Sequence, residues 1–380
     1  MSNTILTPTA VTRKALQILH QKLNFIGSIN RQYDDSFAKT GAKIGDSIKV
    51  RLPNQYTIRT GANISTQDTT EASTTLQVAT QKGVDTTFTS AELTLSMDDF
   101  AERILEPAMA TLASNMEADA LSMALDVYQS VSNVGSAITF NKVMAARKML
   151  TDSLAPGSER KLILNTQDNL DLVDSLKGLF QDSSTISQQY RDGLVGKTAG
   201  FGDIYENTLL ASQATGTALA STTYTVNGAS QVGSGVIVAT GATTFKKGDV
   251  ITFAGCNRVH PETKADTGVL QQFVVTTDYA GGAGTIAISP AIVTSTGRQN
   301  VSASPTNGGA VTKIGGASAI YKPSLAFHKN AFTFATVDME DVSQYGVWSA
   351  RESYDGISMR VARQYAISTD AIPCRIDVMY

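Results

Sequence analysis

The stretch between residues 218 and 320 most constrains the fold, because its composition differs from that of the sequence on either side. It holds fifteen of the chain's 30 glycines but only ten charged residues. Its short β-branched runs are separated by turn sequences such as Asn227-Gly228. Short, evenly spaced strands without helical periodicity predict a small all-β barrel or sandwich. Because helix- and strand-type sequence resumes at Tyr321, we expect residues 218–320 to be an inserted domain.

The first ninety residues predict a helix followed by a long β-hairpin. Apolar residues at helical spacing across 12–31 predict an amphipathic helix with Thr12 or Thr9 as its cap. Alternating residues across 45–53 predict a strand, and a second alternating stretch ends the Thr- and Ser-rich segment 54–90. Large apolar side chains are sparse across 54–75. We therefore expect the hairpin tip to be mobile in a free subunit and ordered against a neighbour.

The segment 96–131 predicts the longest helix of the chain. Ser96 is a suitable N-cap, and apolar residues recur at helical spacing as far as Tyr128. About 35 helical residues would span roughly 50 Å. Pro107 removes one backbone hydrogen bond, so a kink is expected there. Such a helix would act as a spine.

The centre and the C-terminus add an α/β unit and two strands. The pattern predicts a helix over 140–154, a strand over 160–165 and a short helix over 167–179. Apolar and polar residues then alternate in 356–367 and again in 375–380, which predicts two antiparallel strands.

Composition excludes several protein classes. At 380 residues with 42% hydrophobic and 17% charged residues, the chain can fold into two or three units and is not expected to be disordered. It has no apolar run of about 18 residues and no signal-peptide pattern at its start, so we expect an intracellular protein without a membrane span. Two cysteines, Cys256 and Cys374, cannot form a disulfide framework.

The charge is divided into blocks of opposite sign. Residues 1–60 carry nine Lys or Arg against three Asp or Glu, whereas residues 61–130 carry two against eleven. Such blocks attract each other within one chain or between copies, and a solvated surface with uneven charge is the alternative. The basic block is also suited to non-specific contact with nucleic-acid phosphates.

Candidate catalytic and metal-binding patterns are weak. The segment 193–198 resembles a phosphate-binding loop, but Arg191 stands where the first glycine is required. The three histidines lie in different segments without a second ligand at metal-binding spacing. Asp168, Asp171 and Asp174 share one short helix, where a solvated face is favoured over paired catalytic carboxylates. We therefore predict no catalytic residues, no metal and no cofactor.

The order of these segments resembles the major capsid protein of tailed bacteriophages, in the branch that carries an inserted β-barrel. The resemblance covers essentially the whole chain. Its most specific parts are the closing strands, 356–365 and 375–380, the loop 196–202, and the segments 248–255 and 261–268.

The resemblance implies an α+β tailed-phage capsid fold and a structural subunit that self-assembles into an icosahedral shell around double-stranded DNA. It divides the chain into an N-terminal arm (1–40), an extended-loop hairpin (41–95), a spine helix with a peripheral domain (96–131 and 343–380), an axial domain (132–217 and 321–342) and an inserted β-barrel (218–320). The implied partners are further copies in pentamers and hexamers, scaffolding and portal proteins, and packaged DNA held by non-specific contact at the inner surface. The implied location is the virion capsid, with assembly in the host cytoplasm.

Contacts between subunits are expected at the hairpin. The basic residues Lys49, Arg51 and Arg59 are candidates to meet Asp98, Asp99 or Glu102 of an adjacent copy.

Two alternative functions of the protein stay open, a non-catalytic β-rich surface or adhesion protein and an enzyme with an unrecognised site.

Overall fold

The computed structural model describes residues 8–31, 47–64, 66–67, 71–89, 106–176, 199–340, 342–354 and 356–380. The chain divides into two compact units. The first unit comprises residues 1–52, 72–120 and 329–380, and the second comprises 53–71 and 121–328. The predicted insertion lies wholly within the second unit.

The first unit begins with helix α1 (Pro8–Lys22), followed by the single-turn helix α2 (Phe25–Ser28). The predicted single helix over 12–31 is therefore wrong at its start and in its continuity. Thr12 is a buried residue inside α1 and not its cap. Proline suits the first turn of a helix, since its fixed φ is helical and it needs no donor there, which explains the earlier start.

Two antiparallel sheets complete the first unit. Strands β1 (Ser47–Arg51) and β2 (Ser73–Gln77) form a hairpin with Ser47 opposite Gln77. A four-stranded sheet has the order β15-β16-β17-β3. Its strands are β3 (Gln81–Thr89), β15 (Trp348–Tyr354), β16 (Ile357–Arg363) and β17 (Ala371–Met379). The predicted C-terminal pair is confirmed, whereas β15 was not predicted.

Strand β3 corrects the predicted hairpin. It pairs along its whole length with β17, from Gln81 opposite Met379 to Thr89 opposite Ala371, and it is not a strand of the hairpin. A two-stranded hairpin buries little apolar surface, whereas in the four-stranded sheet Val84 lies opposite Ile376 of β17.

The spine helix is shorter than predicted at its C-terminal end. Helix α3 (Glu106–Ser122) is followed by one 3₁₀ turn, Met123–Asp126, and the chain is extended at Val127. Its 17 residues span about 25 Å. Ser, Val, Asn and Gly across 130–135 are poor helix formers, which accounts for the early end. Residues 96–105 lie outside the described part of the chain, so the kink at Pro107, in the first turn of α3, stays a prediction.

The second unit contains the predicted α/β region. Strands β4 (Arg160–Leu164), β5 (Asp203–Glu206) and β14 (Leu325–His328) form a sheet in which β4 and β5 are parallel. Helices α4 (Phe140–Asp152) and α5 (Thr166–Leu176) supply the side chains that cover it. The core residues are Val143, Leu162, Leu164, Leu172, Leu176 and Phe201. The helix over 140–154 and the strand over 160–165 are confirmed.

Within residues 218–320 the chain forms a closed six-stranded barrel with the strand order β10-β11-β8-β7-β12-β9, which confirms the predicted barrel sheet. Its strands are β7 (Ser221–Val226), β8 (Gly233–Ala239), β9 (Val250–Val259), β10 (Asp266–Val275), β11 (Gly284–Ile292) and β12 (Ala310–Ile314). The two connecting segments pair as short strands, β6 (Gln213–Ala214) with β13 (Ile320–Tyr321). We call this pairing, together with residues 215–220 and 315–319, the neck.

Candidate assembly surfaces

The loop that follows β1 displays apolar side chains to solvent. Between residues 53 and 64, Tyr56 is 56% exposed, Ile58 90% and Ile64 85%. Because large apolar side chains are sparse across 54–75, the sequence pattern alone did not single out these three residues. Three large apolar side chains are therefore exposed on one short loop. We refer to residues 53–64 as the extended loop.

The extended loop is tied to the returning chain by a side-chain amide. Gln67 Oε1 accepts hydrogen bonds from Thr57 N at 2.8 Å and from Thr57 Oγ1 at 2.9 Å. Gln67 Nε2 donates to the Thr57 carbonyl at 2.5 Å. This exchange mimics a backbone ladder pair and fixes the two sides of the loop without burying them.

The predicted contact residues divide between described and undescribed parts of the chain. Lys49 and Arg51 both belong to β1. Arg59 lies at the exposed tip, where its guanidinium donates to the Gly61 carbonyl. Asp98, Asp99 and Glu102 lie outside the described residues. The predicted pairing of these basic and acidic residues between copies therefore stays a prediction.

Glu117 holds the short helix α2 to helix α3. Its buried carboxylate accepts hydrogen bonds from the backbone amides of Phe25 and Ile26, the latter at 3.2 Å. These amides begin α2, where orphan donors favour a negative partner. Helix α1 packs on β15 and β16, with Ala15, Leu16 and Leu19 buried. A carboxylate on α3 was not distinguishable from a surface residue by spacing alone.

The last residue, Tyr380, is locked to β3 and α3. Its backbone exchanges hydrogen bonds with Thr80 at 2.8 and 2.9 Å, and its hydroxyl donates to Asp119 at 2.6 Å. Burial and this hydrogen bond raise the pKa of Tyr380. Burial acts to raise the pKa of Asp119, but the hydrogen bonds from Lys82 and Tyr380 lower it overall. On the same sheet, Arg375 binds Asp85 through two hydrogen bonds of 2.8 Å.

Polar contacts join the barrel to the helical part of the second unit. Arg258 pairs with Asp152 at 3.1 Å, and Lys247 pairs with Asp126 at 3.0 Å. The Gln272 side chain exchanges two hydrogen bonds with the Ser130 backbone, at 2.7 and 3.0 Å. These contacts hold one face of the barrel against residues 126–152.

A fully buried ion pair lies at the neck. Lys313 Nζ lies 3.4 Å from Asp249 Oδ2 and donates to the carbonyls of Gly216 and Ala218 at 3.0 and 3.3 Å. Asp249 Oδ2 also accepts from the amides of Gly216 and Lys246, both at 2.9 Å. Burial lowers the pKa of Lys313, while the nearby Asp249 carboxylate acts in the opposite direction. The pair therefore joins β12, and the residue that precedes β9, to the incoming segment of the neck.

The side chains considered for catalysis have structural partners. Asp168 accepts hydrogen bonds from Asn165 and Ser324, and Asp171 accepts one from Gln167. Burial raises the pKa of Cys256 to about 12, which keeps this thiol protonated at neutral pH. The segment 193–198 lies outside the described residues. Among the described residues, no cluster of three His, Cys, Asp or Glu side chains is placed to hold a metal ion.

Comparison with known proteins identifies the family. The profile described as P22 coat protein, gene protein 5, matches residues 29–380. The chain belongs to the P22 coat protein family. This coat protein is a structural subunit of a tailed-phage capsid. Membership of the P22 coat protein family does not favour a β-rich surface or adhesion protein, and it implies a structural role over an enzymatic one. Helix α1 and residues 25–28 precede the matched region.

Solved structures of similar chains are phage proteins. A chain from Mycobacterium phage Che8 is 13% identical, with a TM-score of 0.47 over 94% of this coat protein and 85% of that chain. A chain of the bacteriophage PhiM1 mature capsid is 13% identical, with a TM-score of 0.36 over 70% and 87%. A capsid chain of Staphylococcus phage Andhra is 12% identical, with a TM-score of 0.35 over 93% and 81%. The search of curated proteins returned no match. Within the described residues, no helix combines the length and the apolar character that a membrane crossing requires.

Proposed function

We propose that the extended loop is the element through which this coat protein binds a neighbouring copy in the shell. The observation that carries the proposal is the exposure of Ile58 and Ile64 on a loop whose two sides are already tied together. Burying one such side chain stabilises a contact by about 1.5–3 kcal/mol. A shell repeats each subunit contact many times, so two buried isoleucine side chains per subunit add up to a large favourable free energy of assembly.

Charged side chains orient the two copies in this proposed contact. In the proposal, Lys49, Arg51 and Arg59 of one copy face Asp98, Asp99 and Glu102 of the next. Each exposed ion pair contributes only about 0–1 kcal/mol, and salt screens it. The apolar anchors therefore supply most of the free energy of association, and the charges select the partner and its orientation.

The complete proposal follows the same division of the chain. Residues 1–40 form the arm, 41–95 the extended-loop hairpin, 96–131 with 343–380 the spine and peripheral domain, 132–217 with 321–342 the axial domain, and 218–320 the insertion. The subunit forms pentamers and hexamers of an icosahedral shell, without catalysis. It assembles in the host cytoplasm with scaffolding and portal proteins and touches packaged double-stranded DNA non-specifically at its inner surface.

Limited trypsin digestion tests the role of the loop. We expect cleavage after Arg59 in free subunits and protection of the same bond in assembled shells, because a neighbour would cover the loop. The measurement is the rate at which the corresponding fragments appear by mass spectrometry. Equal rates after Arg59 in both states would rule out the loop as an intersubunit element.

Reversing the charge at the tip tests the electrostatic part. Arg59→Glu should leave the subunit folded, since the side chain is exposed, and should lower the yield of shells by several-fold. Raised salt should weaken wild-type assembly in the same direction. Arg59→Lys keeps the charge and is the matched control, expected to assemble as the wild type does. Normal shell yield with Arg59→Glu would show that this charge takes no part in assembly.

A further inference from the structure

A tight turn at the end of barrel strand β11 touches the extended loop of the same chain. We propose that the inserted barrel is a brace that holds the extended loop in position before a neighbour binds. This inference rests on the proposed role of the loop and assigns the insertion a task in it. The contact lies within the second unit, which contains both the loop and the barrel.

The turn is fixed to the barrel at its base. Gln299 N donates to the Thr296 carbonyl at 3.1 Å, so Gly297 and Arg298 are the central residues of a β-turn. Asn300 closes the base of the turn, since its side chain accepts from Val293 N at 2.9 Å and donates to the Ala291 carbonyl at 2.7 Å. The next residue, Val301, belongs to the buried core of the barrel. A turn anchored in this way cannot shift without disturbing the barrel.

The contact itself is made by main chain against main chain. A Cβ atom placed on Gly297 would lie 2.0 Å from the carbonyl oxygen of Gln55 and 2.6 Å from its carbonyl carbon. Gly297 does not have a positive φ, so its backbone conformation is open to any residue. Glycine is therefore required at this position by space. Beside it, Arg298 Nη2 donates to the Pro53 carbonyl at 3.3 Å.

Two adjacent contacts determine the direction of the chain as it enters the loop. The side chains from 53 to 64 are exposed, so the loop is not held by apolar burial within its own unit. Gly297 and Arg298 hold its first residues, and Gln67 ties its two sides together. A loop ordered in advance loses less conformational entropy when it binds, which strengthens association without any additional intersubunit contact.

The test is the substitution Gly297→Val in the full-length subunit. The added side chain cannot fit against Gln55, so the loop must leave the turn. We expect trypsin to cleave after Arg59 about tenfold faster in free subunits, because cleavage follows the population of the open loop. Shell yield should fall as well. Gly157→Val is the matched control, since Gly157 belongs to the same unit, lacks a positive φ and has open space around it; its cleavage rate should equal that of the wild type.

Arg298→Ala provides a second, milder probe that removes only the donor to Pro53. We expect a smaller increase in the same cleavage rate, with an unchanged thermal transition of the barrel by circular dichroism. If Gly297→Val unfolds the barrel, the cleavage rate of Arg298→Ala tests the brace on its own. Wild-type cleavage rates in Arg298→Ala and in folded Gly297→Val would overturn the brace. That outcome differs from failure of the proposed function, which would appear as equal cleavage after Arg59 in wild-type subunits and wild-type shells.

Discussion

We expect Lys313→Met to lower the free energy of unfolding of the barrel by about 3–5 kcal/mol, because it leaves the Asp249 carboxylate buried without its counter-ion. The carbonyls of Gly216 and Ala218 would lose their donor in the same step. Methionine keeps a similar length and apolar stem, so the loss reports the charge and its hydrogen bonds. This is the largest stability effect that we expect from a single substitution in the second unit.

The measurement uses two spectroscopic signals. The chain's one tryptophan, Trp348, lies in the first unit, so its fluorescence follows that unit during denaturation by urea. Far-ultraviolet circular dichroism follows both units, including the barrel strands. We expect Lys313→Met to shift the circular dichroism transition to lower urea and to leave the tryptophan transition in place.

A double substitution is the matched control. Lys313→Met combined with Asp249→Asn removes both charges and leaves an amide oxygen that can accept from the amides of Gly216 and Lys246. We expect it to recover a large part of the lost stability, because no uncompensated charge remains buried. An unchanged transition in the single variant would show that the pair adds nothing to the barrel.

We expect assembly to be lost when both exposed isoleucines of the extended loop are replaced by aspartate. Ile58→Asp with Ile64→Asp removes two apolar anchors, each worth about 1.5–3 kcal/mol when buried, and puts charges in their place. We expect at least a hundredfold weaker association of subunits. Because both side chains are exposed in the free subunit, its unfolding free energy should change by less than about 0.5 kcal/mol per site.

Sedimentation and electron microscopy measure this outcome as the fraction of protein in shells. The control is Ile58→Leu with Ile64→Leu, which keeps the apolar area and should still assemble. Circular dichroism confirms that each variant is folded. Shells formed at wild-type yield by the aspartate variant would show that the exposed loop is not an apolar contact between copies.

Local signals explain which elements were predictable. The barrel was recognisable because its turns and short alternating strands depend on residues close together in the chain. Its charge is also low compared with the sequence on either side. Helix α4 and strand β4 were predictable because helical spacing and strand alternation also depend on residues close together in the chain. The end of α3 was missed because a repeat of apolar residues continued past Ser122, although Ser, Val and Asn favour other conformations there.

Pairing partners were not predictable in the same way. Alternation in residues 81–89 shows that a strand has one apolar face, but it carries no information on the strand beside it. Its partner β17 lies at the far end of the chain, and Arg375 meets Asp85 across 290 positions. The assignment of this segment to the hairpin was wrong for that reason.

Among the candidate contact residues, some were predicted from the sequence and others became visible only in the structure. The basic residues of the hairpin were predicted as contacts because a charge block is visible in composition, and their role stays a prediction. Ile58 and Ile64 were missed because two apolar residues in a polar segment become conspicuous only when both are exposed.

By itself, the sequence determined the inserted barrel, the helical and strand character of most segments, and the resemblance to phage coat proteins. Each of these depends on residues close together in the chain or on the order of segments along it. Only the tertiary structure decided that Lys313 and Asp249 meet at the neck, that Glu117 caps α2, and that Gly297 leaves room for Gln55. These contacts join residues that are tens to hundreds of positions apart, and their partners are chosen by packing and charge in the folded chain.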